Sequence, residues 1–239
     1  MIALLLMGCQ QIPEFVQVSG AVFDDRHSAS TVVAGATVRV MDASLEETDV
    51  VETGDDGTFS AQARAGQAVF FELSAEGFVP TAFGGTMGIE DAVVPDRVLW
   101  MATLDDLGEL EGTFAGCPGV GEGGGLIEGE VRAHVPGAEL GDGEEWPFAA
   151  TAWAVAYDSD GVETDACYLD AETGLYDPEA TLTGDTGRFA VFGGPTGPVT
   201  LAVGTLLDGA PYYETWFSVY VPDGGVAPIY PAYVPLPGF

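Results

Sequence analysis

Thr53-Gly54-Asp55-Asp56-Gly57-Thr58-Phe59 returns later in the chain as Thr183-Gly184-Asp185-Thr186-Gly187-Arg188-Phe189. Upstream, Gly20-Ala21-Val22 is answered by Gly129-Glu130-Val131. The run Ala36-Thr37-Val38-Arg39-Val40 is answered by Ala152-Trp153-Ala154-Val155-Ala156. Downstream, Ala65-Gly66-Gln67-Ala68-Val69 is answered by Thr196-Gly197-Pro198-Val199. The same landmarks in the same order make this an internal repeat. From Ala36 to Gly57 is 21 residues and from Ala152 to Gly187 is 35, so the second copy carries about 14 extra residues, Cys167 and Tyr168 among them.

Each copy is written in strands. Val16, Val18 and Val22 alternate across Gly20, and Val38 and Val40 flank Arg39. Phe59, Ala61 and Ala63 repeat the pattern, as do Val69, Phe71 and Leu73. A period of two predicts sheets with one buried and one wet face, stacked as a β-sandwich. No helical period persists over three turns. Asp55-Asp56-Gly57, Asp160-Gly161, Gly193-Gly194 and Asp223-Gly224 read as hairpin turns. The chain is therefore predicted to be all-β with two tandem sandwiches. Residues 1–13 form a leader and tether, 14–104 the first sandwich, 105–125 a linker, and 126–239 a second, divergent sandwich with an insertion. The linker holds a strand-like run, Leu110 to Gly116, and the glycine-rich Gly119 to Gly125.

In order of elements, the first copy resembles the carboxypeptidase regulatory-like domain. The likeness is carried by a Gly-x-Val strand, by Val33-Ala34-Gly35-Ala36-Thr37-Val38-Arg39-Val40, by Thr53 to Phe59, and by Glu76-Gly77-Phe78. It covers residues 16–103, and residues 126–235 share it through the repeat alone. The resemblance implies an Ig-like, transthyretin-like sandwich of seven strands. It also implies a tandem, non-catalytic unit of bacterial surface lipoproteins. Fold alone does not assign a function.

The chain has 239 residues, 38 acidic and 6 basic, for a formal charge of −32. All six bases are arginine, and neither lysine nor asparagine occurs. Such a surface repels polyphosphate and lacks the basic clusters that bind it, which excludes nucleic acid as a partner. Codon bias accounts for the missing lysine and asparagine but not for the scarcity of arginine, so the acidity itself is read as selected.

The opening Met1-Ile2-Ala3-Leu4-Leu5-Leu6-Met7-Gly8-Cys9 has too few apolar residues to span a bilayer. Leu6-Met7-Gly8-Cys9 resembles the bacterial lipobox, whose cysteine is lipidated and becomes the first mature residue. Cys9 is accordingly the expected lipidation site. Several acyl chains on one residue give stable anchoring. The expected address is the bacterial cell envelope, as an outer-membrane lipoprotein facing periplasm or cell surface, with the membrane as partner through the anchor.

Little in the chain supports catalysis. His27 and His134 stand in no zinc-binding spacing, and no Gly-x-Ser-x-Gly elbow occurs. Gly119-Val120-Gly121-Glu122-Gly123-Gly124 is a literal Gly-x-Gly-x-x-Gly, but no helix follows it and Glu122 would repel a pyrophosphate. Asp158-Ser159-Asp160-Gly161 has the carboxylate spacing that opens a calcium loop. The EF-hand then needs Gly and Glu where this chain has Glu163 and Leu169. A looser Ca2+ site on Asp158, Asp160 and Glu163 competes with a plain solvated turn, and no other cofactor is expected.

Two features remain. Alternation through the C-terminal aromatics puts Tyr212, Glu214, Trp216, Ser218 and Tyr220 on one strand face, opposite Tyr213, Thr215, Phe217, Val219 and Val221. Tyr212, Trp216 and Tyr220 then form a ridge that stacks on a sugar or a partner, or else packs against the neighbouring sandwich. Once Cys9 is acylated, Cys117 and Cys167 remain as an even pair. An oxidising envelope favours a disulfide between them over two buried thiols. The whole reads as a non-catalytic adhesion, scaffold or binding module. Its partner is an envelope protein or a glycan, with a glycan-binding lipoprotein as the alternative.

Overall fold

The computed structural model describes residues 12–24, 31–96, 98–105, 112–113, 117, 124–134 and 146–235. Nearly all of its regular structure is strand. The first half contributes β1 (Phe15–Ala21), β2 (Thr37–Asp42), β3 (Glu47–Glu52), β4 (Thr58–Arg64), β5 (Ala68–Ser74), β6 (Thr81–Thr86) and β7 (Ala92–Val93). The second contributes β8 (Gly125–His134), β9 (Ala152–Tyr157), β10 (Glu163–Asp165), β11 (Cys167–Leu169), β12 (Tyr176–Asp177), β13 (Arg188–Gly194), β14 (Gly197–Leu207), β15 (Ala210–Val221) and β16 (Val226–Pro235).

Strand order repeats as the sequence does. In the first half β4-β1-β7 faces β3-β2-β5-β6, and in the second β13-β8-β16 faces β10-β9-β14-β15. The final strand of each first set runs parallel to its partner, β7 to β1 and β16 to β8. Between the faces lie two cores. One gathers Val18, Val38, Val40, Phe59, Phe71 and Leu73; the other gathers Ile127, Val131, Phe189, Val191, Leu201 and Val203. These are the positions that period-two alternation turns inward.

The repeated motif has one geometry in both copies. Thr53 Oγ1 accepts the Ala36 amide at 2.9 Å, and Thr183 Oγ1 accepts that of Ala152 at 3.0 Å. Gly57 and Gly187, with φ of 72° and 63°, reverse the chain in the left-handed region that favours glycine. Their carbonyls accept the Val22 and Val131 amides at 3.0 and 2.8 Å. Phe59 then stands opposite Gly20, and Phe189 opposite Gly129. A Cβ on Gly129 would lie 2.2 Å from the Phe189 ring, so that ring fills the space left by the missing side chain.

Three expectations are corrected. Asp55-Asp56-Gly57, Gly193-Gly194 and Asp223-Gly224 are not hairpins: the first and last join strands of different sheets, and Gly193-Gly194 ends β13, whose successor β14 lies in another sheet. A turn residue reverses the chain without choosing the next strand's partner. Asp160-Gly161 does close the β9–β10 hairpin, and Asp208-Gly209 closes β14–β15. Secondly, β8 and β13 are buried on both faces. Leu126, Ala190 and Phe192 turn away from the main core into a further apolar cluster with Cys117, Cys167 and Tyr176. Thirdly, within the strand-like run Leu110 to Gly116, Gly112 is helical, as are Leu104 and Asp105.

The cysteines Cys117 and Cys167 are joined as a disulfide, with Cα atoms 6.5 Å apart. The 14-residue surplus becomes β11 and β12, which extend the sheet beyond β13. The halves meet edge to edge. Val226 of β16 pairs with Thr81 of β6, its amide reaching the Pro80 carbonyl at 2.8 Å. One nine-stranded sheet, β12-β11-β13-β8-β16-β6-β5-β2-β3, therefore runs through both halves.

Candidate functional site

On β9 the small Ala152, Ala154 and Ala156 point into the core, which turns Trp153, Val155 and Tyr157 outward. Register aligns that outward face with its neighbours. Trp153 lies beside Gly204 and Glu214, Val155 beside Ala202 and Trp216, and Tyr157 beside Thr200 and Ser218. On the far side, Glu163 and Asp165 of β10 stand opposite Tyr157 and Val155. The central strand β14 is thus lined with small residues between Trp153 and Tyr157 of β9 and Trp216 of β15.

The aromatic side chains fold over that centre. A Cβ on Gly204 would sit 2.4 Å from Trp153 Cζ2, so only glycine admits the indole there. The rings of Trp216 and Tyr157 approach to 5.4 Å between centroids at 33°. Beneath them Ala202 is fully buried, whereas Trp216 keeps 55% of its surface open to solvent. Burial, then the charges of Glu163 and Glu214, pushes the Tyr157 phenol above its ordinary pKa. The result is an open aromatic floor with a carboxylate rim.

Beside this floor, β6 and β16 part after their single pair and leave a cleft of about 720 Å³. Phe70, Gly84 and Trp100 line it from the first half, and Trp216, Phe217 and Ile229 from the second. Phe70 is buried although it points out of its own sandwich.

The expected ridge divides among three environments. Trp216 sits at the boundary of floor and cleft. Half-buried Tyr220 faces the first half, where burial, then the Glu72 charge, raises its pKa against an opposing contribution from Arg39. That Arg39 is itself held by Glu72 at 3.1 Å and Glu47 at 3.5 Å. Tyr212 is exposed, but it falls in a bulge, between Thr205 opposite Tyr213 and Leu206 opposite Pro211. The bulge breaks the alternation that aligned Tyr212 with Trp216. Trp153 and Tyr157 join the site from another strand; their signal was the inversion on β9, with alanines inside and large residues outside.

The remaining candidates fall elsewhere. Asp158 Oδ1 accepts the amides of Asp160 and Val162 at 2.9 and 2.8 Å, closing the hairpin, while Glu163 belongs to the aromatic rim. Among the described residues no three His, Cys, Asp or Glu side chains are grouped to hold a metal ion. His134 packs edge-on to Trp146 at 4.9 Å. Cys9, His27 and most of the glycine-rich run lie outside the described residues. No helix among the described residues is long and apolar enough to cross a membrane.

No family model matches the chain, and no curated protein matches it. Similar solved structures include the Bacillus anthracis TIE protein, at 12% identity and a TM-score of 0.32, over 92% of this chain and 33% of that one. A streptococcal ancillary pilin matches at 12% identity and a TM-score of 0.28, over 90% and 61%. The shaft pilin SpaA from Lactobacillus rhamnosus GG matches at 11% identity and a TM-score of 0.25, over 94% and 99%. The chain spans about a third of the first and less than two thirds of the second. At such scores these likenesses carry no conclusion about this chain.

Proposed function

We propose that this chain is a non-catalytic, lipid-anchored protein of the bacterial cell envelope, acting as an adhesion, scaffold or binding module. The observation that carries the reading is the continuous nine-stranded sheet. It runs through both halves of the chain, suited to holding the aromatic face of β10-β9-β14-β15 at a set place. The shared motif geometry supports reading both halves as copies of one carboxypeptidase regulatory-like module. Leu6-Met7-Gly8-Cys9 supports lipidation at Cys9 and an outer-membrane address, and the disulfide fits an oxidising compartment.

The second reading, a glycan-binding lipoprotein, is favoured by the open face of Trp216 beside Tyr157. A glycan array separates the two. Sugar binding that disappears in Trp216→Ala supports the glycan reader, and no binding to any sugar supports the scaffold. Lipidation is tested by labelled palmitate in a bacterial host. Equal labelling of Cys9→Ala, or a mature protein that keeps residues 1–8, would refute the anchor.

A further inference from the structure

We propose that the outer face of β10-β9-β14-β15 docks an arginine- or lysine-bearing segment of a partner protein, its cationic groups lying on the floor of Trp153, Tyr157 and Trp216. The proposal rests on the adhesion and scaffold reading and names its partner chemistry.

Three observations converge on one surface. Aromatic faces attract cations through their ring quadrupole, best at tryptophan, and here two tryptophans and a tyrosine share one sheet face. The rim is acidic from both sides, with exposed Glu163 and Asp165 along β10 and exposed Glu214 on β15. Lastly, the four strands contain no arginine, lysine or histidine, and none of these carboxylates is in an ion pair among the described residues. Elsewhere arginines do meet carboxylates: Arg39 lies between Glu47 and Glu72, and Arg64 between Asp42 and Glu14. Carboxylates left unneutralised around open aromatic rings match an incoming cation. A neutral sugar would use the rings but not the excess charge. A chain at −32 also steers basic partners toward it.

The general acidity dictates the controls. The probe is an acetylated, amidated hexapeptide of alternating glycine and arginine, with its neutral citrulline counterpart, titrated against the protein by calorimetry at moderate salt. Trp216→Ala leaves the net charge unchanged and removes a half-exposed ring, so the fold persists; Trp216→Phe should retain part of the binding. We expect Trp216→Ala to weaken the arginine peptide roughly five-fold or more. Glu163→Gln with Glu214→Gln should weaken it similarly. Glu172→Gln with Glu179→Gln, which removes equal charge elsewhere, should change it less than about two-fold. Three results would overturn the proposal: equal affinity for the citrulline peptide, unchanged binding in Trp216→Ala, or equal loss in the remote pair. Each would leave the scaffold reading standing. A sugar that binds in place of the peptide would overturn both.

Discussion

Breaking the Cys117–Cys167 bond should cost the second half much of its stability. The bond spans 50 residues and tethers the chain beyond the first sandwich to the inserted strand β11. There the Tyr176 amide reaches the Thr113 carbonyl at 2.8 Å, and both cysteines are buried with Leu126, Ala190 and Phe192. Closing a loop of this length lowers the entropy of the unfolded chain by about 14 cal/mol/K, or about 4 kcal/mol at room temperature. Substituting Cys117→Ala and Cys167→Ala together keeps the cluster apolar and isolates this contribution. With a urea dependence of about 2 kcal/mol per molar, the midpoint should fall by roughly 2 M. The assay is urea unfolding followed by tryptophan fluorescence, on oxidised, reduced and doubly substituted protein. Val79 and Val226 belong to the same cluster, so the loss should reach the junction of the halves. A midpoint shift below about 0.5 M would show that the tether does not restrict the unfolded chain as reasoned. Alkylation of both cysteines in denatured, unreduced protein would show that no bond forms at all.

Three further outcomes are expected. Gly129→Ala should destabilise by about 2–3 kcal/mol in chemical denaturation, because its Cβ would meet the Phe189 ring at 2.2 Å. Gly20→Ala, with Phe59 and Val94 at 3.1 Å, should cost less, and the reverse order would sink the packing argument. Thr183→Val removes the acceptor of the Ala152 amide and should cost about 1–3 kcal/mol, with Thr53→Val costing a similar amount; two near-silent variants would refute it. At Asp42, burial acts to raise the pKa, but the Ser44 and Glu46 amides and Arg64 outweigh it and hold the carboxyl below its ordinary value. Because the folded pKa is the lower one, ionised Asp42 stabilises above the ordinary carboxylate pKa and loses that effect as pH falls toward the folded value. Stability measured at pH 7 and pH 3 should therefore differ more in the native protein than in Asp42→Asn.

Much of the architecture was legible in the residues. Alternation marked Val38, Val40, Phe59, Phe71 and Leu73 as inward, because side chains of a strand alternate faces whatever its partners are. The motif ending at Phe59 and again at Phe189 recurs with one local geometry, because its threonine and glycines answer local needs: an orphan amide, a left-handed turn and a ring to be admitted. Counting cysteines paired Cys117 with Cys167. The ridge was half legible, since Trp216 is open as its strand implied.

Tertiary structure alone decided what lies beside and above each strand. Gly57 and Gly224 mark reversals in the sequence, yet whether the next strand pairs with the last or crosses to the other sheet depends on which edges are free. The joining of β6 to β16 is a contact between strands far apart in the chain that no local pattern encodes. A single bulged position took Tyr212 out of line with Trp216, and the first sandwich half-covered Tyr220. The face that β9 and β15 build together required their register across β14. Periodicity reports which side chains share a face of one strand; which faces meet is settled by packing between segments far apart in sequence.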